Sequence, residues 1–176
     1  MNRRPFLLLI ASALGLPLTL AASTAEAEKR LKQAVDEVLS ISNGASSRQS
    51  LAQKARPFLQ KHISFETMTR RAVGVGWRQF SSAQQKQATE LFTTLVIRTY
   101  SNKFTPGEKA GVDFKQAQTP ASGRVDIPTD LVYKGSRYNV TYRLEQAGGW
   151  RIVDVVIEGV SMVANYRTQL DATFKK

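Results

Sequence analysis

The stretch that narrows the fold most is WRIVDVVIEGVSMVANYR, residues 150–167. Trp150 to Ile157 carries β-branched side chains at Ile152, Val153, Val155, Val156 and Ile157 and nothing that favours a turn, so it predicts a strand apolar on both faces. The chain then passes Glu158, Gly159 and Val160 to Ser161, whose hydroxyl is placed to cap a helix over residues 162–174. A strand buried on both sides and delivered into an amphipathic helix requires a sheet packed under helices.

The residues before it read as strands too. Residues 112–118 form one segment and residues 120–123 a turn cluster. Val125, Ile127, Thr129, Leu131 and Tyr133 then alternate with polar residues, and Pro128 predicts a bulge or a sheet edge there. Lys134-Gly135-Ser136 turns the chain into Tyr138, Val140, Tyr142 and Leu144, which alternate with Asn139, Thr141, Arg143 and Glu145. Ala147-Gly148-Gly149 predicts the hairpin into the last strand.

The first half is helical. Leu31, Val35, Val38 and Leu39 recur at helical spacing over residues 26–42, and Asn43-Gly44 ends the pattern. A second helix over residues 48–61 places Leu51, Ala55, Phe58 and Leu59 on one side, with a kink or break expected at Pro57. Ser64 precedes a short helix over residues 65–73, which Gly74-Val75-Gly76 terminates before Trp77. The longest pattern runs over residues 82–103, opened by a capping box of Ser81 and Gln84 and striped by Ala88, Leu91, Phe92, Leu95, Val96, Thr99 and Tyr100. Helices, then an antiparallel meander, then one helix is an α+β order. The expected architecture is a curved four-stranded antiparallel sheet with helices over its concave face, a cone similar to nuclear-transport-factor-2-like folds.

Arg3 and Arg4 followed by an apolar core over residues 6–20 and then small residues predict an export signal, cleaved after Ser23 or Ala27. The paired arginines suit twin-arginine export as well as the ordinary route. The core is too short and too broken by Gly15 and Pro17 for a good membrane span. Removal of residues 1–23 leaves a single domain over residues 24–176, roughly 150 residues, enough for one core. With no cysteine there is no disulfide framework, thiolate metal site or lipidation cysteine, which predicts a free periplasmic protein. The formal charge of +11 suits anionic lipid or acidic partners, or serves solubility alone; export argues against nucleic acid.

Chemistry is scarce. His62 is the single histidine, set among Phe58, Ile63 and Phe65, and no serine stands in a nucleophile elbow. The carboxylates are too dispersed to predict a metal site, and no residue pattern calls for a cofactor. Gly74-Val75-Gly76 reads as a turn, not a phosphate loop. Asp154, expected on one strand face with Trp150, Ile152, Val156 and Glu158, is the one plausible acid/base. Pairing with Arg70, Arg71 or Arg151 is its structural alternative.

Two blocks carry a resemblance. HISFETMTRRAVGVGWRQFSSAQQKQ, residues 62–87, continues into LFTTLVIRTYSNKF, residues 91–104; the second block is residues 150–167. Together they resemble the MlaC family of periplasmic phospholipid-shuttle proteins, also called toluene-tolerance or organic-solvent-tolerance proteins. Ser64 departs from that pattern, standing where the family usually has an aspartate, and the chain ends at Lys176 without the longer tail of many relatives. The resemblance implies a lipid carrier and not an enzyme. Its partners would be an inner-membrane ABC transporter with an MCE-domain protein and an outer-membrane lipoprotein–porin complex, in the service of outer-membrane asymmetry. A hopanoid or other lipid, or a small-ligand enzyme using Asp154, is the alternative. The expected acyl-chain pocket takes Leu91, Phe92, Leu95, Val96 and Tyr100 from the long helix, with Val73 and Trp77 beside it. The sheet would add Tyr138, Val140, Tyr142, Val153, Val155 and Ile157, and the last helix Val163 and Tyr166.

Overall fold

The computed structural model describes residues 16–146 and 148–174. Helix α1 (Leu16–Asn43) leads to α2 (Arg48–His62), α3 (Phe65–Val73), a 3₁₀ turn (Gly74–Gln79) and α4 (Ser82–Ser101). Strands β1 (Ala110–Phe114), β2 (Gln118–Ala121), β3 (Arg124–Tyr133), β4 (Ser136–Gln146), β5 (Trp150–Ile157) and β6 (Val160–Ser161) follow, and α5 (Met162–Phe174) closes the described chain. The class is α+β as expected. The first fifteen residues of the expected signal lie outside the described residues.

Six strands, not four, build the antiparallel sheet, in the order β1-β3-β4-β5-β6 with β2 also on β3. Pro128 explains one of the extra strands. It lies inside β3, paired across to Thr141 of β4, and the expected bulge falls in the chain on its other flank, where the register slips by one residue between Phe114–Thr129 and Gln118–Asp126. Its carbonyl accepts from Lys115 N, so its missing N–H faces that same flank. There the neighbouring chain leaves the sheet after Phe114 and rejoins it at Gln118, dividing the one expected strand into β1 and β2. The other extra strand comes from Glu158 and Gly159. Both have positive φ, 48° and 78°, which makes a two-residue hairpin turn that folds Val160 and Ser161 back on Ile157 and Val156.

Register sorts the sheet into two unlike faces. Opposed pairs Val125–Leu144, Ile127–Tyr142, Thr129–Val140 and Leu131–Tyr138 point one way, and β5 adds Ile157, Val155, Ile152 and Trp150 to that side. The reverse side holds Asp126–Arg143, Asp130–Asn139, Arg143–Asp154 and Glu145–Arg151. It is laced by ion pairs of Arg137 with Asp113 and Asp130 (2.8 and 2.9 Å) and of Arg143 with Asp154 (3.1 Å). A bulge in β5 at Val153 makes this sorting possible, because it shifts the alternation by one residue. Asp154 and Val156 therefore leave the face of Trp150 and Ile152, where strict alternation had placed them.

The helices begin and end as their caps dictate. Ser47 and Ser64 cap α2 and α3, and Ser81 with Gln84 forms the predicted capping box of α4. α2 runs through Pro57 without the break that was one of the two expected outcomes; the carbonyl that loses its helical partner there belongs to the exposed Gln53. The α2–α3 junction is tied to the sheet, since Ser64 N donates to Ile152 O at 2.8 Å.

Candidate functional site

Two hydrophobic clusters form among the described residues. The first packs Ala27, Leu31 and Val35 of α1 on Val125, Ile127, Leu144, Trp150 and Ile152 of the sheet. The second packs Phe65, Met68 and Ala72 of α3 with Phe92, Val96 and Ile97 of α4 and Met162 and Val163 of α5. Two residues, Ile63 and Val155, pack against both. They mark a seam between a sheet-plus-α1 body and a helical body.

Many of the expected pocket residues gather along this seam. Phe92, Val96 and Val163 are buried in the helical cluster, with Tyr100, Val155 and Tyr166 at its margin. Phe92 and Tyr166 meet edge to face, ring centres 5.1 Å apart. Tyr138, Val140, Tyr142, Val155 and Ile157 share the apolar sheet face; Val140 is buried, Tyr142, Val155 and Ile157 are half-buried, and Tyr138 is exposed. Although part of Tyr142 still reaches solvent, burial pushes its phenol up to about 12. Burial also raises the Tyr100 phenol, with smaller contributions from Tyr166 and Asp154. In both, burial disfavours the charged phenolate.

Others fall elsewhere. Val73 and Trp77 are buried outside both clusters, Trp77 leaning on Phe80 at 6.0 Å. Leu91 and Leu95 are a correction: they are 64% and 47% exposed and do not belong to the inward stripe. That stripe runs through Phe92, Thr93, Val96 and Ile97. Thr93 can join it because its hydroxyl donates to Thr89 O at 2.7 Å, leaving its methyl for packing. Counting apolar letters skips such a threonine and rotates the stripe. Met68, Ile63, Phe65 and Met162 were also missed, although their spacing beside the capping residues Ser64 and Ser161 was available as a signal.

Asp154 is fully engaged. Its Oδ2 accepts from Arg143 Nη1 (3.1 Å) and Ser161 Oγ (2.6 Å), and its Oδ1 from the backbone N–H groups of Val155 (2.9 Å) and Val163 (3.1 Å). Ser161 Oγ in turn accepts from Ala164 N. The carboxylate thus fastens the start of α5 to β5. Its cation is Arg143, not Arg70, Arg71 or Arg151; Arg71 binds Glu145 and Arg151 donates to Gln60 O. The carboxyl that burial pushes up is Asp126, which lies on the ion-pair face opposite the apolar one. Among the described residues no group of three histidines or carboxylates could hold a metal ion.

Among the described residues, two of the surface clefts bear on the site. One, about 460 Å³, has Ile63, Phe65 and Val153 among Glu66, Arg70, Glu90, Glu145 and Arg151. The other, about 520 Å³, lies between α2 and α4. Of the expected pocket residues Val153 alone lines either cleft; at the seam Ile63 and Val155 bridge the two clusters. Among the described residues no helix is long and apolar enough to cross a membrane.

A family model described as MlaC protein matches residues 32–176. The fold is similar to that of a phospholipid-binding protein from Ralstonia solanacearum, solved in complex with a phospholipid. That likeness has a TM-score of 0.77 at 26% identity and covers 84% of this chain and 86% of that one. A de novo designed β-sheet protein aligns at 15% identity with a TM-score of 0.29, too loosely to bear on function. No curated protein sequence matches.

Proposed function

The chain belongs to the MlaC family, and from that premise we propose that it is a periplasmic carrier that holds phospholipid by its acyl chains. The observation that carries this reading is the likeness to the Ralstonia solanacearum protein over most of both chains, since that protein was solved with a phospholipid bound. The two-cluster interior supports it. Acyl chains would enter at the seam that Ile63 and Val155 span, parting α3, α4 and α5 from the apolar sheet face. A cone of nuclear-transport-factor-2 type, apolar side inward, is the shape this reading requires. Tyr100 and Tyr142 would keep their hydroxyls neutral beside the chains.

Energetics set the mode of transfer. Two tails of about 15 methylenes each represent on the order of 25 kcal/mol relative to water. Release into water is therefore too slow to serve, and the chains must pass between cavities of similar apolarity. The inner-membrane transporter with its MCE-domain protein and the outer-membrane lipoprotein–porin complex are the proposed donors and acceptors. Outer-membrane lipid asymmetry is the proposed purpose, with no catalytic step. Residues 1–23 are read as the export signal. Incubation with vesicles carrying a self-quenched fluorescent phospholipid, followed by re-isolation of the protein, tests the reading; dequenched lipid in the protein fraction supports it, and its absence from folded protein refutes it.

A further inference from the structure

The cleft between α2 and α4 is built differently from the seam. From α2, Arg48, Ala52 and Arg56 face it, one turn apart, and from α4 Ile97 and Arg98 do, with Asn102 at the end. Its apolar floor, Ala52 and Ile97, is the outer side of the helical cluster that holds Phe92 and Val96. Its rim carries three guanidinium groups. Arg56 is fixed in direction by Glu90 at 2.7 Å and by Thr94 Oγ1 at 3.0 Å. Arg48 touches the Phe104 carbonyl at 3.4 Å. Among the described residues no carboxylate pairs with Arg48 or Arg98. Two cations brought to the rim of one cleft raise its positive potential and draw an anion to it. Guanidinium groups match the oxygens of a phosphate in pairs, with amides such as Gln49, Gln53 and Asn102 able to complete the set.

We propose that this cleft binds a phosphate group, held chiefly by Arg48 and Arg98 with Arg56 as a preset third donor. The proposal rests on the carrier reading for its preferred source, the phosphate of a phospholipid. Free inorganic phosphate offers the same chemistry. Affinity for the phosphate-bearing lipid would then exceed that for the same chains without it, a selectivity absent from acyl-chain burial alone.

The test titrates four proteins with a short-chain diacyl phosphatidylglycerol, with the matching diacylglycerol, and with inorganic phosphate. The proteins are wild type, Arg48→Gln/Arg98→Gln, Arg98→Lys and Leu95→Gln; the last is a control at another exposed position of α4. The expected result is that the double variant loses at least about tenfold in affinity for the phospholipid and nothing for diacylglycerol, with Arg98→Lys losing less. Wild type that binds both lipids equally overturns the cleft and leaves the carrier reading standing. Binding of inorganic phosphate that needs both arginines, with no lipid bound, keeps the cleft as a free-anion site and removes the carrier reading. No phosphate-dependent binding of any probe refutes the proposal. The phosphorus resonance of the bound phospholipid on wild type tests the contact without a variant: it shifts and broadens when the phosphate is engaged, and stays at its free position if the head group hangs in solvent.

Discussion

Gly74 lies directly beneath the Arg167 guanidinium: a methyl group added to Gly74 would stand 2.8 Å from Arg167 Cζ. The glycine ends α3 with φ 70° and ψ −133°, a conformation that side chains avoid. Arg167 reaches over it from α5 to the Arg71 carbonyl at 3.5 Å and lies 3.8 Å from Asp171. The two family blocks, far apart in sequence, thus meet where α3 packs on α5.

Gly74→Ala is therefore expected to destabilise the protein by about 1–3 kcal/mol, chiefly through backbone strain. The flexible guanidinium can swing away at little cost. Denaturant unfolding of Gly74→Ala and of Gly74→Ala/Arg167→Ala checks this. Near-equal losses in the two identify the backbone as the cause, whereas recovery in the double variant would assign it to the clash.

Asp154→Ala should cost roughly 1–3 kcal/mol, chiefly because it leaves the buried Val163 N–H without its acceptor; Arg143 keeps Asp126 at 3.7 Å. Asp154→Asn should cost less, and its folded fraction should carry as much lipid as wild type. Unfolding curves with lipid content per folded chain read both effects. A stable Asp154→Asn protein that folds fully yet loses its lipid would give the residue a role beyond fastening α5.

Alkaline pH should separate Tyr142 from the other tyrosines. Its folded phenol ionises at about 12, above the ordinary value near 10. An ionisation raised in the folded state gives stability that is complete below about pH 10 and is lost as pH climbs toward about 12. Ultraviolet titration should show Tyr142 as the last tyrosinate to form in wild type, behind the also raised Tyr100, with that last step missing in Tyr142→Phe. The phenylalanine variant should also lose less stability over that window.

The seam predicts a contrast between two substitutions. Val155→Trp, filling the place where both clusters meet, should block lipid uptake while leaving a folded protein. Leu95→Arg, on the exposed side of α4, should change neither fold nor uptake. Equal effects from the two would place the acyl chains outside the seam.

The proposed signal cleavage has two candidate sites, which α1 sets apart. Thr24 bonds Thr119 at 3.2 Å and Ala27 is fully buried in the sheet cluster. Cleavage after Ser23 keeps both; cleavage after Ala27 removes both. Intact-mass analysis of exported protein should find Thr24 at the N-terminus.

Much of this was legible in the sequence because local rules agreed. Ser81 with Gln84, Ser64 before Phe65, and Lys134-Gly135 after an alternating strand each produced the element they predict. What escaped depended on partners. The Val153 bulge reverses every side chain beyond it, and strict alternation cannot register an inserted residue. Leu91 and Leu95 look as apolar as Phe92 and Val96; only the wedging of α4 beside α2 and α3 selects the face that includes Thr93. The family blocks located the fold and the ligand class, while the α2–α4 arginine cleft is only half within them, since Arg98 lies in residues 91–104 but Arg48 and Arg56 lie outside both blocks.

Lipid carriage itself is decided by extracting the protein, purified from periplasm without detergent, into organic solvent and analysing the extract by mass spectrometry. A diacyl phospholipid in stoichiometric amount is expected, absent from a control periplasmic protein treated alike. A lipid-free extract from well-folded protein would contradict the carrier reading.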